Sequence, residues 1–243
     1  VEFWRAHAAE LARAEAQFGV PAQMIVSIIG VETRYGRNTG SYRVADALST
    51  LAFDYPPRSS FFRSELTQFL LLAREEGSEP LSLTGSYAGA MGYGQFIPSS
   101  YRAYAVDFDG DGKRDIWRNT SDAIGSVANY FKVHGWKSES PVVVQAEPLD
   151  RRADAIANDA LALNHTVGSI RALGMTMPGY ADEEPAMLVK LEGANGPEYW
   201  VGMQNFYVIT RYNRSTMYAL AVHQLSDALV AAMANAVAQR SDG

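Results

Sequence analysis

Residues 24–36, MIVSIIGVETRYG, place a glutamate in an otherwise apolar run. On a helix, where successive residues turn by about 100°, Glu32 shares one face with Ile25, Ile28 and Ile29. A carboxylate on a face that packs into a core loses hydration, which costs several kcal/mol unless it gains partners or keeps its proton. The chain must therefore place Glu32 either in a buried ion pair or in a functional acid site.

The composition of the 243-residue chain is that of a soluble globular protein, with 47% hydrophobic and 20% charged residues. A net charge of −6 and the lack of a basic stripe argue against nucleic acid as a partner. The chain has no cysteine, which excludes disulfides and thiolate sites. No apolar run reaches the roughly 18 residues of a membrane span, so no transmembrane segment is expected. Because it begins on helical sequence without an initiator methionine, we expect a trimmed or mature fragment that has lost any export or lipid signal.

Apolar residues at helical spacing, with glycine or proline after them, predict a mostly helical chain. Ser121 or Asp122 is expected to cap the fifth helix. Three glutamates, Glu65, Glu75 and Glu76, are expected on solvated helix faces. The predicted helices cover residues 2–19, 24–36, 41–56, 59–77, 121–136 and 215–240.

The pattern of residue types changes after residue 141. Residues 142–146 are β-branched, 151–163 have a helical pattern, and 187–204 suit two strands around an Asn-Gly turn. This predicts a small α+β insert over 136–204. The fold class is therefore α+β and predominantly α-helical, with a helical part over 1–135 and 205–243.

An acidic loop, 107-DFDGDGKRDIW-117, carries aspartates at positions 1, 3, 5 and 9 and a glycine at position 6. This spacing presents oxygens around one hard cation and matches the first half of an EF-hand loop over 107–122. Position 12, where a bidentate glutamate is expected, is Arg118, so Asp122 would close a lengthened loop. The alternative is a solvated acidic turn. A bound Ca²⁺ would be structural and not catalytic, because no group here could act on a substrate.

The segment 85-GSYAGAMGYGQFIPSSY-101 combines glycines with aromatic rings and neutral polar groups. Flat aromatic faces and amides suit sugar rings, with Ser86 and Gln95 as hydrogen-bonding groups. A tightly packed helix corner is the alternative interpretation. A second aromatic and polar stretch, 205-NFYVITRYNRSTMYALAV-222, precedes a helix start at Asn213 or Ser215 and suits either a core or a site. Neither segment contains a second carboxylate that could serve as a partner for Glu32.

Taken in order, GVETRYG, GSYAGAMGYGQFIPSSY, DFDGDGKRDIW and NFYVITRYNRSTMYALAV resemble the membrane-bound lytic transglycosylase B family of bacterial peptidoglycan-cleaving enzymes. The resemblance covers about residues 2–235. It implies a lysozyme-like core with an added helical subdomain and the small β-containing insert. Two departures are Thr33, where many relatives have serine, and a metal loop one residue longer before Asp122.

The resemblance also implies residue roles. Glu32 would be the single catalytic acid, and a structural Ca²⁺ would bind Asp107, Asp109, Asp111, the Lys113 carbonyl and Asp122. The implied glycan-binding residues are Arg58, Ser86, Gln95, Phe96, Tyr130, Tyr212, Asn213 and Tyr218.

The implied reaction is cleavage of the β-1,4 bond between MurNAc and GlcNAc with formation of 1,6-anhydroMurNAc. Glu32, kept protonated by apolar surroundings, would act as acid and then as base. The alternatives are a lysozyme-type muramidase, which is a hydrolase, and a non-catalytic glycan-binding module. The implied partners are peptidoglycan glycan strands and proteins of cell-wall synthesis or lysis. The implied location is the periplasm of a Gram-negative bacterium, as a soluble protein or an outer-membrane lipoprotein.

Overall fold

A computed structural model describes residues 1–241, and the side chains of residues 1–236. The chain forms two compact units, one of residues 1–133 with 229–243 and one of residues 134–228. The strands predicted for the small α+β insert lie in the second unit. The domain boundaries at 136 and 204 stay a prediction.

The first unit is built mainly of helices. Phe3 in the first helix stacks on Tyr35, with ring centroids 5.3 Å apart. The predicted helix over 2–19 is wrong in one respect, because it breaks at His7, whose backbone (φ −120°, ψ 29°) is not helical. The helices are α1 (Glu2–Ala6), α2 (Ala8–Phe18), α3 (Ala22–Thr33), α4 (Val44–Asp54), α5 (Ser59–Glu75), α6 (Pro98–Tyr104) and α7 (Thr120–Val133), with 3-10 turns at Pro56–Arg58 and Pro80–Ser82.

The predicted helix over 41–56 begins later than expected. Tyr42–Arg43 forms the short strand β1, which pairs antiparallel with β2 (Thr84–Gly85). The backbone N–H of Val44, the first residue of α4, donates to the Leu83 carbonyl over 3.0 Å. Strand pairing with a distant segment therefore overrides the local helical pattern at these two residues.

Helix α7 begins where predicted, but the predicted caps are wrong. The Asn119 side-chain oxygen accepts from the N–H groups of Ser121 and Asp122 over 3.0 and 3.3 Å. Asn119 is thus the capping residue. Asp122 is instead fully buried, and its carboxylate serves the acidic loop.

The second unit contains a five-stranded antiparallel sheet in the order β4-β6-β7-β3-β5. The hairpin predicted in 187–204 is confirmed, with Gly193 opposite Gly196 across a two-residue loop. One face of the sheet packs on α8 (Val167–Ala172) through Val167, Ile170 and Leu188. The strands are β3 (Val143–Pro148), β4 (His165–Thr166), β5 (Met175–Thr176), β6 (Pro185–Gly193) and β7 (Gly196–Gly202).

The helix predicted over 151–163 is wrong, because only a 3-10 turn at Arg152–Ala155 forms there. Asn158 takes a left-handed conformation with φ 59° and pairs its side-chain amide with the backbone of Lys190 on β6. Asp154 accepts hydrogen bonds from Tyr199 and Lys190. These side chains bond to the sheet, and the segment follows the sheet edge in place of a helix.

Helix α9 (Gln204–Tyr212) and the long α10 (Thr216–Ser241) complete the chain. Ser215 caps α10, since its hydroxyl accepts from the Tyr218 N–H over 3.2 Å. Within the described residues, Thr216–Ala236 is long and apolar enough to cross a membrane by length and composition, and so is the bent pair of α2 and α3 if counted as one span. Core helices of soluble proteins meet the same criterion, so the absence of a transmembrane segment stays a prediction. The prediction of a predominantly α-helical α+β fold is confirmed.

Candidate active site and metal centre

Glu32 lies in the last turn of α3, where the helix leaves the core. Ile25, Ile28 and Ile29 on the same face are fully buried, whereas Glu32 is half-buried. The isoleucines fix the helix in place, and one turn later Glu32 on the same face is partly exposed.

The chain leaves α3 through two consecutive residues in the left-handed region, Arg34 (φ 51°) and Tyr35 (φ 62°). Their N–H groups bond to the Gly30 and Ile29 carbonyls and so close the helix end. Residues other than glycine rarely adopt this conformation, and each costs about 1 kcal/mol or more. Gln95 (φ 51°) also adopts it. Three strained residues thus lie on the two segments that were predicted to form the site.

Thr33 fastens the end of α3 to the glycine-rich segment. Its hydroxyl lies 3.1 Å from both the Ile29 and Tyr93 carbonyls, and it accepts from the Gly36 N–H over 3.0 Å. Thr33 is 1% exposed, so its hydroxyl is shielded from water. The position of the residue after Glu32 is therefore coupled to the backbone at Tyr93.

Further contacts join the segment after α3 to the glycine-rich segment. The Gln95 side-chain amide donates to the Thr39 carbonyl over 3.2 Å and to the Gly92 carbonyl over 3.0 Å. A Cβ on Gly40 would lie 2.1 Å from the Gly85 carbonyl oxygen. The pairing of β1 with β2 comes next along the chain. Residues 33–43 and 84–95 thus form one continuous seam that begins beside Glu32, which we call the acid-helix seam.

Packing within the protein accounts for the glycines of residues 85–101. A Cβ on Gly85 would lie 2.3 Å from the Ala90 carbonyl oxygen, and one on Gly92 would lie 2.4 Å from the Ile116 carbonyl oxygen. A Cβ on Gly36 would lie 2.2 Å from the Tyr93 ring. The tightly packed corner is therefore the correct interpretation of these small residues. Of the polar and aromatic side chains in this segment, Tyr87 is exposed, and Ser86, Tyr93 and Gln95 are half-buried.

Ser86 and Gln95 are the neutral polar groups of this segment. The Ser86 hydroxyl oxygen accepts from the Ala90 and Ala88 N–H groups over 3.0 and 3.3 Å, which leaves its own proton to donate. Gln95 uses its amide nitrogen on backbone carbonyls, which leaves its side-chain oxygen to accept. Together they present a donor and an acceptor in fixed positions.

Three aromatic rings pack together next to this segment. Tyr130 on α7 lies 5.8 Å from Phe96 and 4.9 Å from Tyr104 between ring centroids. Phe96 is 3% exposed and Tyr130 is 6% exposed, so both contribute mainly to the core. Tyr101, which the sequence also offered as a flat face for a sugar, is fully buried, and its hydroxyl donates to the Arg114 carbonyl.

Arg58 ends the 3-10 turn between α4 and α5 and is exposed. Its guanidinium carbon lies 4.5 Å from the Phe61 ring centroid and 5.1 Å from that of Phe62. These cation–π contacts hold the charge at the surface. Tyr212, Asn213 and Tyr218 belong to the second unit, where Asn213 is exposed at the end of α9 and the two tyrosines are half-buried.

The expectation for Glu65 is wrong. Glu65 is 4% exposed, and its carboxylate accepts from the Ser99 N–H at the start of α6 over 2.9 Å. A carboxylate at a helix N-terminus is stabilised by the free N–H groups and the dipole there. Glu75 forms an ion pair with Arg102 and Glu76 one with Arg114. These three carboxylates therefore have structural partners.

The acidic loop folds around its own first aspartate. The Asp107 carboxylate accepts from the N–H groups of Gly110, Asp111 and Gly112, over 2.7, 3.1 and 2.8 Å. Gly112 has φ 89°, as the sharp turn at position 6 requires. Carboxylate oxygens of Asp107, Asp109 and Asp122 lie within 4.8 Å of one another. Among the described residues, the Asp111 carboxylate does not belong to this group of three converging carboxylates.

Asp122 reaches the loop from α7. Its two oxygens accept from the Phe108 and Asp115 N–H groups over 2.7 and 2.8 Å. Burial raises the pKa of the Asp122 carboxyl, and these backbone bonds oppose that shift. The hydrogen bond from the Asn119 side chain lowers the pKa of Asp109. Three converging carboxylates at this spacing suit a hard divalent cation.

Comparison with known proteins assigns the fold. Residues 1–227 match the family model described as transglycosylase SLT domain. The chain belongs to the transglycosylase SLT domain family. Over 233 residues it is 49% identical to membrane-bound lytic murein transglycosylase B of Escherichia coli K12. That alignment covers 96% of this chain and 63% of the relative, so the chain spans less than two thirds of that protein's length.

Two solved structures of transglycosylases resemble the fold over nearly the whole chain. Soluble lytic transglycosylase SltB1 from Pseudomonas aeruginosa is 59% identical, with a TM-score of 0.92, over 96% of this chain and 78% of that one. E. coli lytic transglycosylase Slt35 in complex with calcium is 48% identical, with a TM-score of 0.86, over 95% of this chain and 72% of that one.

Two residues that support the acidic loop were not predicted from the sequence. Asn119 caps α7 and donates to Asp109 over 2.7 Å, a role that an asparagine before a helix start could have indicated. Arg13 on α2 donates to the Phe108 carbonyl over 2.8 Å and to the Ser121 hydroxyl over 3.1 Å. Arg13 is distant in sequence from Phe108 and Ser121, and no sequence pattern around it predicts these contacts.

Proposed function

We propose that this chain is a peptidoglycan lytic transglycosylase that cleaves the β-1,4 bond between MurNAc and GlcNAc and leaves a 1,6-anhydroMurNAc end. The observation that carries the proposal is the position of Glu32, a half-buried carboxyl at the end of a buried helix, fastened through Thr33 to the segment that holds Ser86 and Gln95. Membership of the SLT family and the similarity to the E. coli lytic murein transglycosylase support it.

In this mechanism Glu32 is the only carboxyl that acts on the substrate. It enters the reaction protonated, and its place in the last turn of α3 favours the neutral form, because the negative end of the helix dipole lies there. Glu32 gives its proton to the glycosidic oxygen, the bond to C1 of MurNAc breaks, and the GlcNAc hydroxyl leaves. Positive charge develops at C1 of MurNAc.

The 2-acetamido oxygen of MurNAc stabilises that charge, in place of the second carboxylate that most glycosidases use. Glu32, now ionised, takes the proton of the C6 hydroxyl of the same sugar, and O6 bonds to C1. Glu32 is thereby reprotonated, and no water enters the product. The structural roles of Glu65, Glu75 and Glu76 support a reaction with one carboxyl.

Ser86 and Gln95 position the reacting sugar. The free proton of Ser86 can donate to a sugar oxygen, while the Gln95 side-chain oxygen can accept from an amide or hydroxyl group. Because both side chains are already fixed by the protein backbone, little conformational entropy is lost on binding. The other residues of the proposed glycan-binding set are Arg58, Phe96, Tyr130, Tyr212, Asn213 and Tyr218.

We also propose a structural Ca²⁺ held by Asp107, Asp109, Asp111, the Lys113 carbonyl and Asp122. The convergence of three carboxylates within 4.8 Å and the calcium in the E. coli Slt35 structure support it. The bound ion would neutralise the acidic loop and join it to α7 through Asp122. The proposed location is the bacterial periplasm, where glycan strands are the substrate.

Isotope labelling separates this reaction from hydrolysis. Digestion of purified sacculi in H₂¹⁸O should give glycan ends without ¹⁸O, because the C6 hydroxyl attacks C1. Reducing ends that carry one ¹⁸O each would instead indicate a muramidase and would contradict the proposal.

A further inference from the structure

Two tyrosines on the acid-helix seam are unusually exposed. Tyr42 on β1 is 60% exposed and Tyr87, just after β2, is 73% exposed. A tyrosine usually buries most of its ring, since the ring is a large apolar surface. Both rings remain in solvent although the segments that carry them are tightly packed.

The two tyrosines lie at the same edge of the first unit. The Cα of Tyr42 is the pairing partner of Gly85, and Gly85 is followed by Ser86 and Tyr87. Tyr87 occupies the turn closed by the hydrogen bond from the Gly89 N–H to the Ser86 carbonyl over 2.9 Å. Tyr42 on β1 therefore lies opposite the residue before Ser86, and Tyr87, in the turn after β2, is the residue after Ser86. Both tyrosines belong to the acid-helix seam.

The backbone that carries these rings is rigid. Gly40 contacts the Gly85 carbonyl so closely that a Cβ has no room, and the Thr84 carbonyl accepts from the Trp117 indole N–H over 2.9 Å. The Ser86 hydroxyl accepts from two N–H groups of the same turn. Aromatic rings on a fixed backbone can bind a ligand with little loss of conformational entropy.

The charges around this edge favour a neutral ligand. Arg43, the residue after Tyr42, is paired with Asp46 at 2.7 Å, and Thr84 and Ser86 are neutral. Within the described residues 42–46 and 84–87, no charge is therefore left without a partner that could select an anionic or cationic ligand. The apolar faces of sugar rings suit exposed aromatic rings with neutral hydrogen-bonding groups beside them.

We propose that Tyr42 and Tyr87 form an outer saccharide-binding site, which holds the glycan strand beyond the sugars that flank the bond to be cleaved. The inference rests on the proposed function and adds a place where a polymeric substrate is held more tightly than a short one. A protein partner is disfavoured, since a stable interface buries about 800 Å² on each side and two rings beside a small turn offer much less.

The test measures binding of chitobiose and chitohexaose by calorimetry, with the full chain carrying Glu32→Gln to prevent turnover. In this background Tyr42→Ser and Tyr87→Ser should each weaken chitohexaose binding about three- to tenfold and leave chitobiose binding unchanged. Tyr42→Phe and Tyr87→Phe should bind chitohexaose as the parent does. Leu149→Ser, at a side chain 74% exposed in the second unit, is the matched control and should change neither affinity.

Leucine at either position keeps an apolar side chain but removes the flat ring, so Tyr42→Leu and Tyr87→Leu should also lose affinity for chitohexaose. Unchanged chitohexaose affinity in the serine and leucine variants would overturn the outer site, as would a parent that binds chitohexaose no more tightly than chitobiose. The proposed function is judged separately: it fails if the unmodified chain releases no anhydro ends from sacculi, whatever the tyrosine variants bind.

Discussion

The hydroxyl of Thr33 lies 3.1 Å from the carbonyl oxygen of Tyr93, 60 residues away in the sequence. Thr33 directly follows Glu32, so this contact fixes the end of the acid-bearing helix to the glycine-rich segment. The same hydroxyl accepts from the Gly36 N–H. One buried side chain therefore joins the proposed catalytic acid to the segment proposed to position the sugar.

Replacement of Thr33 by valine should weaken both stability and activity. The valine keeps the shape but leaves the Tyr93 carbonyl and the Gly36 N–H without the side-chain partner, which costs about 1–3 kcal/mol. Thr33→Ser keeps the hydroxyl and should be close to wild type in both respects. Urea unfolding and the rate of sacculus solubilisation measure the two effects. Equal stability of Thr33→Val and Thr33→Ser would contradict this role.

Glu65 provides a test of the single-carboxyl mechanism. Glu65→Gln retains a side-chain oxygen that can accept from Ser99 N–H, so it should remain folded and still produce anhydro ends. Glu65→Ala loses this acceptor at the start of α6 and should lower the free energy of unfolding by about 1–2 kcal/mol. Loss of turnover in a folded Glu65→Gln protein would show that Glu65 takes part in the chemistry.

Removal of divalent cations should lower the melting temperature. An ion present at 100 times its dissociation constant adds about 2.7 kcal/mol, and 1 kcal/mol corresponds to about 2–4 °C in a protein of this size. A chelator should therefore lower the melting temperature by about 5–10 °C, and Ca²⁺ should restore it. Scanning calorimetry with and without the chelator gives the shift.

Two single substitutions test whether the ion binds at the acidic loop. Asp109→Asn should lose most of the shift caused by Ca²⁺, because it removes one of the three converging carboxylates. Asp182→Asn, at an exposed carboxylate paired with Arg171 in the second unit, should retain it. The reaction products should be anhydro ends in each case, since the ion is structural. A chelator without effect on the melting temperature would refute the structural ion.

The buried Tyr101 predicts a stability difference that depends on pH. Burial raises the pKa of the Tyr101 hydroxyl above its ordinary value of about 10. The stabilisation from keeping the hydroxyl neutral is complete below pH 10 and is lost as pH rises, because the unfolded chain then ionises more easily than the folded one.

Tyr101→Phe should therefore be less stable than wild type by about 1–2 kcal/mol at pH 7, since the Arg114 carbonyl loses its partner. The difference should shrink between pH 9 and pH 11. Urea unfolding at several pH values measures it, with the exposed Tyr55→Phe as control. A difference that stays constant over this range would show that Tyr101 does not titrate as described.

The sequence was sufficient for those features that depend on local periodicity and spacing. Buried isoleucines at i, i+3 and i+4 predicted α3, and the alternating aspartates with Gly112 predicted the turn of the acidic loop. Asp122 was predicted to reach this loop, and the structure places its carboxylate there. Each of these patterns involves residues that are close in sequence, and the geometry of a helix turn or a cation-binding loop explains it directly.

Contacts between segments that are distant in sequence could not be predicted from the sequence. Tyr42 and Arg43 continue a helical pattern but form a strand with Thr84 and Gly85. Glu65 has the spacing of a solvated residue but serves the start of α6. Residues 151–163 have helical periodicity, yet side-chain bonds to β6 and β7 hold an irregular path. In each case a tertiary partner overrides the local preference.

In the proposed reaction Glu32 alone acts as acid and base, and O6 of the sugar takes the place of water. Mass spectrometry of sacculi digested by the unmodified chain and by Glu32→Gln distinguishes this reaction from hydrolysis and identifies the acid. We expect 1,6-anhydroMurNAc ends, lighter by one water than reducing ends, and a loss of at least about 100-fold in their rate of release by a folded Glu32→Gln protein. Mostly hydrated reducing ends, or undiminished release by Glu32→Gln, would contradict it.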